Sequence, residues 1–139
     1  MGMYTEICIS GALKPSAPGD VRTMARHIFT GWHDGKVCPP APSHEFFECQ
    51  RWEMLFGSSY YFEAEPSVTW RDDRDFSGRG NVKDYDGEIG AFLDWISPHV
   101  EPGFGGFLRY EEDDAPTLVW FSGAGVVVQP VVLPEGVQP

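Results

Sequence analysis

The segment that decides the fold is DYDGEIGAFLDWISP, residues 84–98. Its large apolar residues recur at the spacing of one face of an α-helix. They are Tyr85, Ile89, Phe92, Leu93 and Ile96. Asp84 or Asp86 can cap the helix, Glu88 in the first turn suits the helix dipole, and Pro98 predicts its end. The segment therefore predicts a helix that buries one face and needs another layer to cover.

A second amphipathic helix is predicted nearer the N-terminus. Asp20 is a suitable N-cap and Gly31 a suitable stop. The apolar stripe between them is Val21, Met24, Ala25, Ile28 and Trp32.

Strands are predicted around these two helices. Thr5–Leu13 places Ile7, Ile9 and Leu13 on one face at period two. Two hairpins are predicted, the first joined by Gly57–Ser58. The hairpins are Glu45–Leu55 with Ser59–Glu65, and Phe104–Glu111 with Thr117–Ser122. Short strands are predicted at Ser67–Trp70 and, as an edge strand, at Val126–Val128, and an exposed charged loop at Arg71–Gly80.

Two helices that are each apolar on one side must cover a sheet. The order of elements favours an α+β, ferredoxin-like two-layer sandwich, in which both helices cover one face of an antiparallel sheet. We expect one domain over residues 1–133 and a frayed tail over 134–139.

Charge narrows the function classes. Ten Lys and Arg face 21 Asp and Glu, so the net charge is −11. Such a chain repels nucleic acids and anionic membrane surfaces, and it has no apolar run long enough to cross a bilayer. No secretory signal is recognisable, and three cysteines are an odd number, so we expect free thiols in a reducing compartment.

A resemblance extends over nearly the whole chain. It is carried by residues 80–98, by Arg109-Tyr110-Glu111-Glu112, and by Ala115-Pro116-Thr117-Leu118. With Met3-Tyr4-Thr5-Glu6, Arg51-Trp52 and Ser59-Tyr60-Tyr61-Phe62, this pattern resembles a family of small conserved proteins of tailed phages and prophages that has no assigned activity. The resemblance implies action in the host cytoplasm and implies no catalytic residues.

Four metal-type ligands lie close together in the sequence: His33, Cys38, His44 and Cys49. Thiolate and imidazole suit Zn²⁺, but the spacing H-x4-C-x5-H-x4-C lacks the paired cysteines of zinc sites. The simpler interpretation is two surface histidines and two unconnected cysteines. No cofactor is predicted.

Candidate partner-binding residues come from three places. Trp95 lies off the buried stripe of its helix, and so could be an exposed aromatic anchor. Arg71, Arg74 and Arg79 share the predicted charged loop. Glu111 and Glu112 belong to an acidic run predicted to form a solvated hairpin tip.

No nucleophile, base or phosphate loop is arranged for catalysis, so the sequence favours a non-enzymatic accessory protein that binds a host or phage protein. Two alternatives stay open: a zinc- or thiol-dependent enzyme using residues 33–49, and a protein that sequesters a nucleotide on the arginine loop. The segment Val126–Val132 could also pair two copies into a homodimer.

Overall fold

The computed structural model describes residues 4–30, 37–56, 65–84 and 86–137. It is an α+β structure with a six-stranded antiparallel sheet and two α-helices. The strands are β1 (Tyr4–Ala12), β2 (Ser67–Arg71), β3 (Asp75–Lys83), β4 (Gly103–Tyr110), β5 (Thr117–Phe121) and β6 (Val126–Pro130). The helices are α1 (Gly19–Phe29) and α2 (Glu88–Ile96), and short 3₁₀ helices cover Glu45–Glu48, Trp52–Met54 and Ser97–His99. The strand order is β2-β3-β1-β4-β5-β6, so the sheet is larger than the four-stranded sheet of a ferredoxin-like sandwich.

Strand β1 lies inside the sheet, between β3 and β4. In its register Ile7 faces Gly80 and Leu108, while Ile9 faces Gly78 and Gly106. Ile7 and Ile9 are fully buried, which defines the core side of the sheet. The prediction that Ile7, Ile9 and Leu13 form one buried face is confirmed.

Aromatic rings fill the core between the sheet and the helices. Phe29 of α1 lies 4.8 Å from Phe76 of β3 and 6.2 Å from Phe92 of α2, measured between ring centroids. Phe46, from the first 3₁₀ helix, packs 5.4 Å from Phe92. Both α-helices and the 45–48 segment therefore share one hydrophobic core.

The two predicted helices form, with the predicted apolar stripes buried wherever the structure describes them. The N-cap residue of α2 is Gly87, neither Asp84 nor Asp86, but Asp84 Oδ1 accepts a 3.0 Å hydrogen bond from the Ile89 amide in the first turn. Pro98 does not end the helical path at once, since a 3₁₀ turn continues to His99. Gly31, Trp32 and Tyr85 lie outside the described residues.

The strand predicted over Glu45–Leu55 is wrong. This segment forms two 3₁₀ helices. The predicted turn at Gly57–Ser58 and all of the predicted partner strand Ser59–Glu65 except Glu65 lie outside the described part of the chain. The predicted strand has Trp52, Met54 and Phe56 alternating on one face, but Met54 is largely exposed and its neighbour Leu55 is buried. The segment does not join the sheet, and its buried and half-buried apolar side chains pack against the hydrophobic core.

The exposed loop predicted over Arg71–Gly80 is also wrong. The turn is confined to residues 72–74, with Asp72 and Asp73 at positive φ, and β3 follows immediately. The two glycines that suggested a loop, Gly78 and Gly80, are buried on the core side. A Cβ at Gly78 would lie 2.5 Å from the Phe56 ring, so the glycine makes room for an aromatic side chain.

The C-terminal hairpin and the edge strand form as predicted. Strand β4 pairs with β5, and β6 pairs with β5 at one edge of the sheet. The strand runs through Gln129 to Pro130, two residues beyond the predicted stretch. Within the described ranges, every helix is too short or too polar to cross a membrane.

Candidate functional site: an acidic cleft beside the edge strand

A cleft of about 810 Å³ opens on the core side of the sheet, between helix α2 and strand β6. Its floor is apolar and includes Leu108, Val126 and Val128. One wall is formed by α2, through exposed Gly90 and Asp94 and the edge of buried Leu93. On the core side of β6, Val126 is partly buried against the hydrophobic core and Val128 is exposed.

Carboxylates dominate the polar lining of the cleft. They come from three separate segments: the 3₁₀ helix that begins at Glu45, the turn before α2, and α2 itself. The acidic lining residues are Glu45, Glu48, Asp84, Asp86 and Asp94. Among the residues that the structure describes, no Lys or Arg lines the cleft, so it concentrates part of the negative charge of the chain over an apolar floor.

The negative charge of the cleft acts on the thiol of Cys49. Its thiol lies 3.6 Å from the backbone oxygen of Glu45 and 3.8 Å from that of Asp86. Burial raises the pKa of Cys49, and the nearby carboxylates, with Glu88 first among them, raise it further. The thiol is therefore held in its protonated form, which is the opposite of what a nucleophilic cysteine or a metal ligand needs.

Glu88 adds a buried carboxylate behind the wall of the cleft. The residue is fully buried, and its Oε1 accepts a 2.9 Å hydrogen bond from the Asp86 amide. Its Oε2 has no hydrogen-bond partner among the described residues. Burial also raises the pKa of Asp84, although amide hydrogen bonds from Ile89 and Glu88 oppose the shift.

The three candidate metal ligands that the structure describes, Cys38, His44 and Cys49, do not form a metal-binding group. His44 uses its Nδ1 to accept a 3.0 Å hydrogen bond from the Phe46 amide, which caps the 3₁₀ helix. The Cys38 thiol points to the Pro39 backbone oxygen. His33 lies outside the described residues, and within those described no three His, Cys, Asp or Glu side chains form a metal-binding group.

The three candidate arginines do not share a loop. Arg71 ends β2, Arg74 lies in the turn, and Arg79 is in the middle of β3. Arg79 donates to Glu6 Oε2 through Nε at 3.1 Å and Nη2 at 2.8 Å, on the side of the sheet away from the core. Arg109 Nη2 lies 3.4 Å from the other oxygen of Glu6. The three arginines therefore lie on different elements, and Arg79 is paired with the buried carboxylate of Glu6.

Trp95 is a core residue, and the prediction that it lies off the buried side of its helix is wrong. Its side chain is 4% exposed and packs 5.0 Å from Phe47 and 6.0 Å from Phe46. The 3₁₀ helix at residues 45–48 covers it, which the predicted strand could not have done.

The acidic candidates Glu111 and Glu112 lie after the end of β4. Glu111 Oε1 accepts a 2.9 Å hydrogen bond from the Tyr4 amide and so links the end of β4 to the start of β1. Glu112 is exposed in the following turn. Their part in partner binding stays a prediction.

Sequence reasoning missed the acidic cleft. Its acidic residues lie between positions 45 and 94, and its floor comes from β4 and β6. The closely spaced acidic residues within 45–48 and within 84–94 could have indicated an acidic site. The incorrect prediction of a strand at 45–55 placed the first group in the sheet, away from α2.

Comparisons with known proteins give no family assignment. No protein-family model, no curated protein and no solved structure matches this chain.

Proposed function

We propose that this protein is a non-enzymatic binding protein that holds a cationic segment of a partner protein in the acidic cleft between α2 and β6. The observation that carries the proposal is the composition of the cleft: carboxylates from three segments lie above an apolar floor, and no Lys or Arg occurs in the described part of its lining. Lys and Arg side chains suit such a surface, because their aliphatic stems cover apolar area while their charged ends reach the carboxylates.

Electrostatics supports a protein partner with a basic surface. The net charge of −11 speeds encounter with a cationic partner and slows encounter with polyanions. Exposed carboxylates around the cleft remain hydrated until the partner arrives, so binding should weaken as salt rises.

The proposal includes a ferredoxin-like fold and action in the cytoplasm of a phage host. The order β2-β3-β1-β4, with helices after β1 and after β3, supports a ferredoxin-like core that β5 and β6 extend. The sequence pattern of residues 80–118 supports a phage accessory protein acting in the cytoplasm of the host.

The test uses a fluorescent lysine-rich peptide and fluorescence anisotropy. We expect saturable binding at low salt and no binding of an acidic peptide of equal length. The variant Glu48→Gln with Asp94→Asn should weaken binding at least about tenfold, because both side chains are exposed in the cleft lining and neither has a structural hydrogen bond in the described residues.

The matched control is Glu101→Gln with Asp114→Asn, which removes the same number and types of charge at exposed positions away from the cleft. This control should bind the lysine-rich peptide nearly as well as the parent protein. Equal weakening in both double variants would show attraction by net charge alone and would overturn the cleft as the binding site.

A further inference from the structure

Strand β6 is an unusually unprotected sheet edge. It is the outermost strand, and β5 is its partner in the described sheet. Edge strands are commonly protected by charged side chains, but residues 115–134 contain no Asp, Glu, Lys, Arg or His. Pro130, at the end of β6, is the feature of the strand that limits pairing.

The two sides of β6 differ in chemistry. Val126 and Val128 lie on the core side and line the acidic cleft. Val127 lies on the opposite side, where the register places it beside Trp120 of β5. Trp120 in turn packs 4.9 Å from Phe104 of β4.

The side of β6 away from the cleft carries an exposed apolar patch. Val127 is 55% exposed, Phe104 54% and Trp120 40%. The Trp120 Nε1 donates a 3.1 Å hydrogen bond to Gln129 Oε1, which ties the ring to β6. Such a patch of fixed aromatic and aliphatic side chains is typical of an interaction surface.

An added strand would meet both sides at once. Successive side chains of a strand point to opposite faces of the sheet, so every second residue of a strand paired with β6 would face the carboxylates of the cleft. The residues between them would face Val127 and Trp120. Charge complementarity on one face and apolar contact on the other therefore select an alternating sequence.

We propose that β6 binds an extended partner segment in which basic and apolar residues alternate, by strand addition to the edge of the sheet. The inference rests on the proposed function and specifies the form of its partner: the cationic segment enters the cleft as a β-strand and not as a helix or a disordered chain.

Two peptides of identical composition test this inference. One alternates Lys and Val, and the other places all Lys before all Val. We expect the alternating peptide to bind at least about tenfold more tightly. Two N-methylated forms of the alternating peptide, one methylated at the odd and one at the even residues, test the pairing directly. The form whose methyl groups block the amides that face β6 should lose the advantage, and the other form should keep it.

The outcomes separate the two proposals. Equal binding of both peptides, still weakened by Glu48→Gln with Asp94→Asn, would overturn strand addition and leave the cationic cleft in place. Binding of neither peptide would overturn the proposed function, and strand addition with it. A concentration-dependent dimer that Val127→Lys dissociates and Val137→Lys does not would show that a second copy of the chain occupies the edge. That result would also overturn the inference. Val137 is the matched control because it is an exposed valine outside the sheet.

Discussion

At the scale of single residues, the aromatic side chains of the 45–56 segment close the core. Phe46 is fully buried, and its ring centroid lies 4.9 Å from Phe47, 5.4 Å from Phe92 and 5.8 Å from Trp52. A residue on a short 3₁₀ helix thus packs into the same core as the residues of the α-helices. The same segment carries Glu45 and Glu48 into the cleft, so core packing and site geometry depend on one stretch of chain.

Replacing Phe46 with alanine should reduce the free energy of unfolding by about 3–5 kcal/mol, because a fully buried ring leaves a cavity that its neighbours cannot fill. Urea unfolding followed by tryptophan fluorescence measures the change. Phe104→Ala, at a ring that is more than half exposed, should cost less than about 1 kcal/mol. Similar losses in the two variants would contradict the core position of Phe46.

The Cys49 thiol should react slowly with iodoacetamide, since burial and the carboxylates around it raise its pKa. Glu45→Gln removes one of these charges and should speed alkylation of Cys49 about twofold, as measured by mass spectrometry of the labelled peptide. Glu101→Gln serves as the control and should leave the rate unchanged. No increase in Glu45→Gln would show that the cleft field does not act on Cys49.

At the scale of elements, the register of β4 depends on a close approach to β1. Gly106 lies at a shift in the pairing of β4 with β5 and has a φ of +133°. A Cβ at this position would lie 1.9 Å from the Cys8 carbonyl oxygen, which is a backbone atom and cannot move aside cheaply. The pairing of β4 with β1 therefore requires glycine at position 106, and β4 contributes Leu108 to the floor of the cleft.

Gly106→Ala should lower the free energy of unfolding by at least about 3 kcal/mol, because it adds both a backbone clash and a strained φ. Thermal unfolding by circular dichroism is sufficient to measure it. Gly125→Ala is the control, since nothing lies within 4 Å of the added carbon there. A melting temperature for Gly106→Ala close to that of the control would contradict the described β1–β4 register.

At the scale of the whole molecule, stability should depend on the protonation of His99, which joins the end of α2 to the loop after β1. Its backbone oxygen accepts a 2.8 Å hydrogen bond from the Lys14 amide. Burial lowers the pKa of His99 and the positive charge of Lys14 lowers it further, although Asp20 opposes the shift. The folded protein therefore prefers neutral His99.

The sign of the pH effect follows from this preference. Above the ordinary histidine pKa of about 6.5 both folded and unfolded chains hold His99 neutral, and its stabilising contribution is complete. As pH falls, the unfolded chain takes up the proton first, and the contribution is lost as the pH approaches the lower pKa of the folded state. His99→Gln should flatten the fall in unfolding free energy between about pH 7.5 and 5.5.

Urea unfolding of the parent and of His99→Gln at both pH values measures this difference. The raised pKa of Asp84 acts with the opposite sign, since burial favours its protonated form in the folded state, and it is common to both proteins. A parallel fall in the two proteins would contradict the role of His99.

The amino-acid sequence by itself determined the elements whose apolar residues repeat with a regular period. Both α-helices, β1, the β4–β5 hairpin and the β6 edge follow from side-chain spacing, because a helix or strand that buries one face leaves its own period in the chain. The acidic balance also follows from composition alone.

Tertiary structure alone decided the features that depend on contacts between distant residues. Residues 45–55 form 3₁₀ helices because they pack across Phe92 and Trp95, and β3 tolerates two glycines because Phe56 occupies the space above one of them. The cleft needs Glu48, Asp94 and Val128 together, although they are far apart in the chain. The spacing of residues within one segment does not predict which distant residues lie close together, because the packing of the whole core sets which segments face one another.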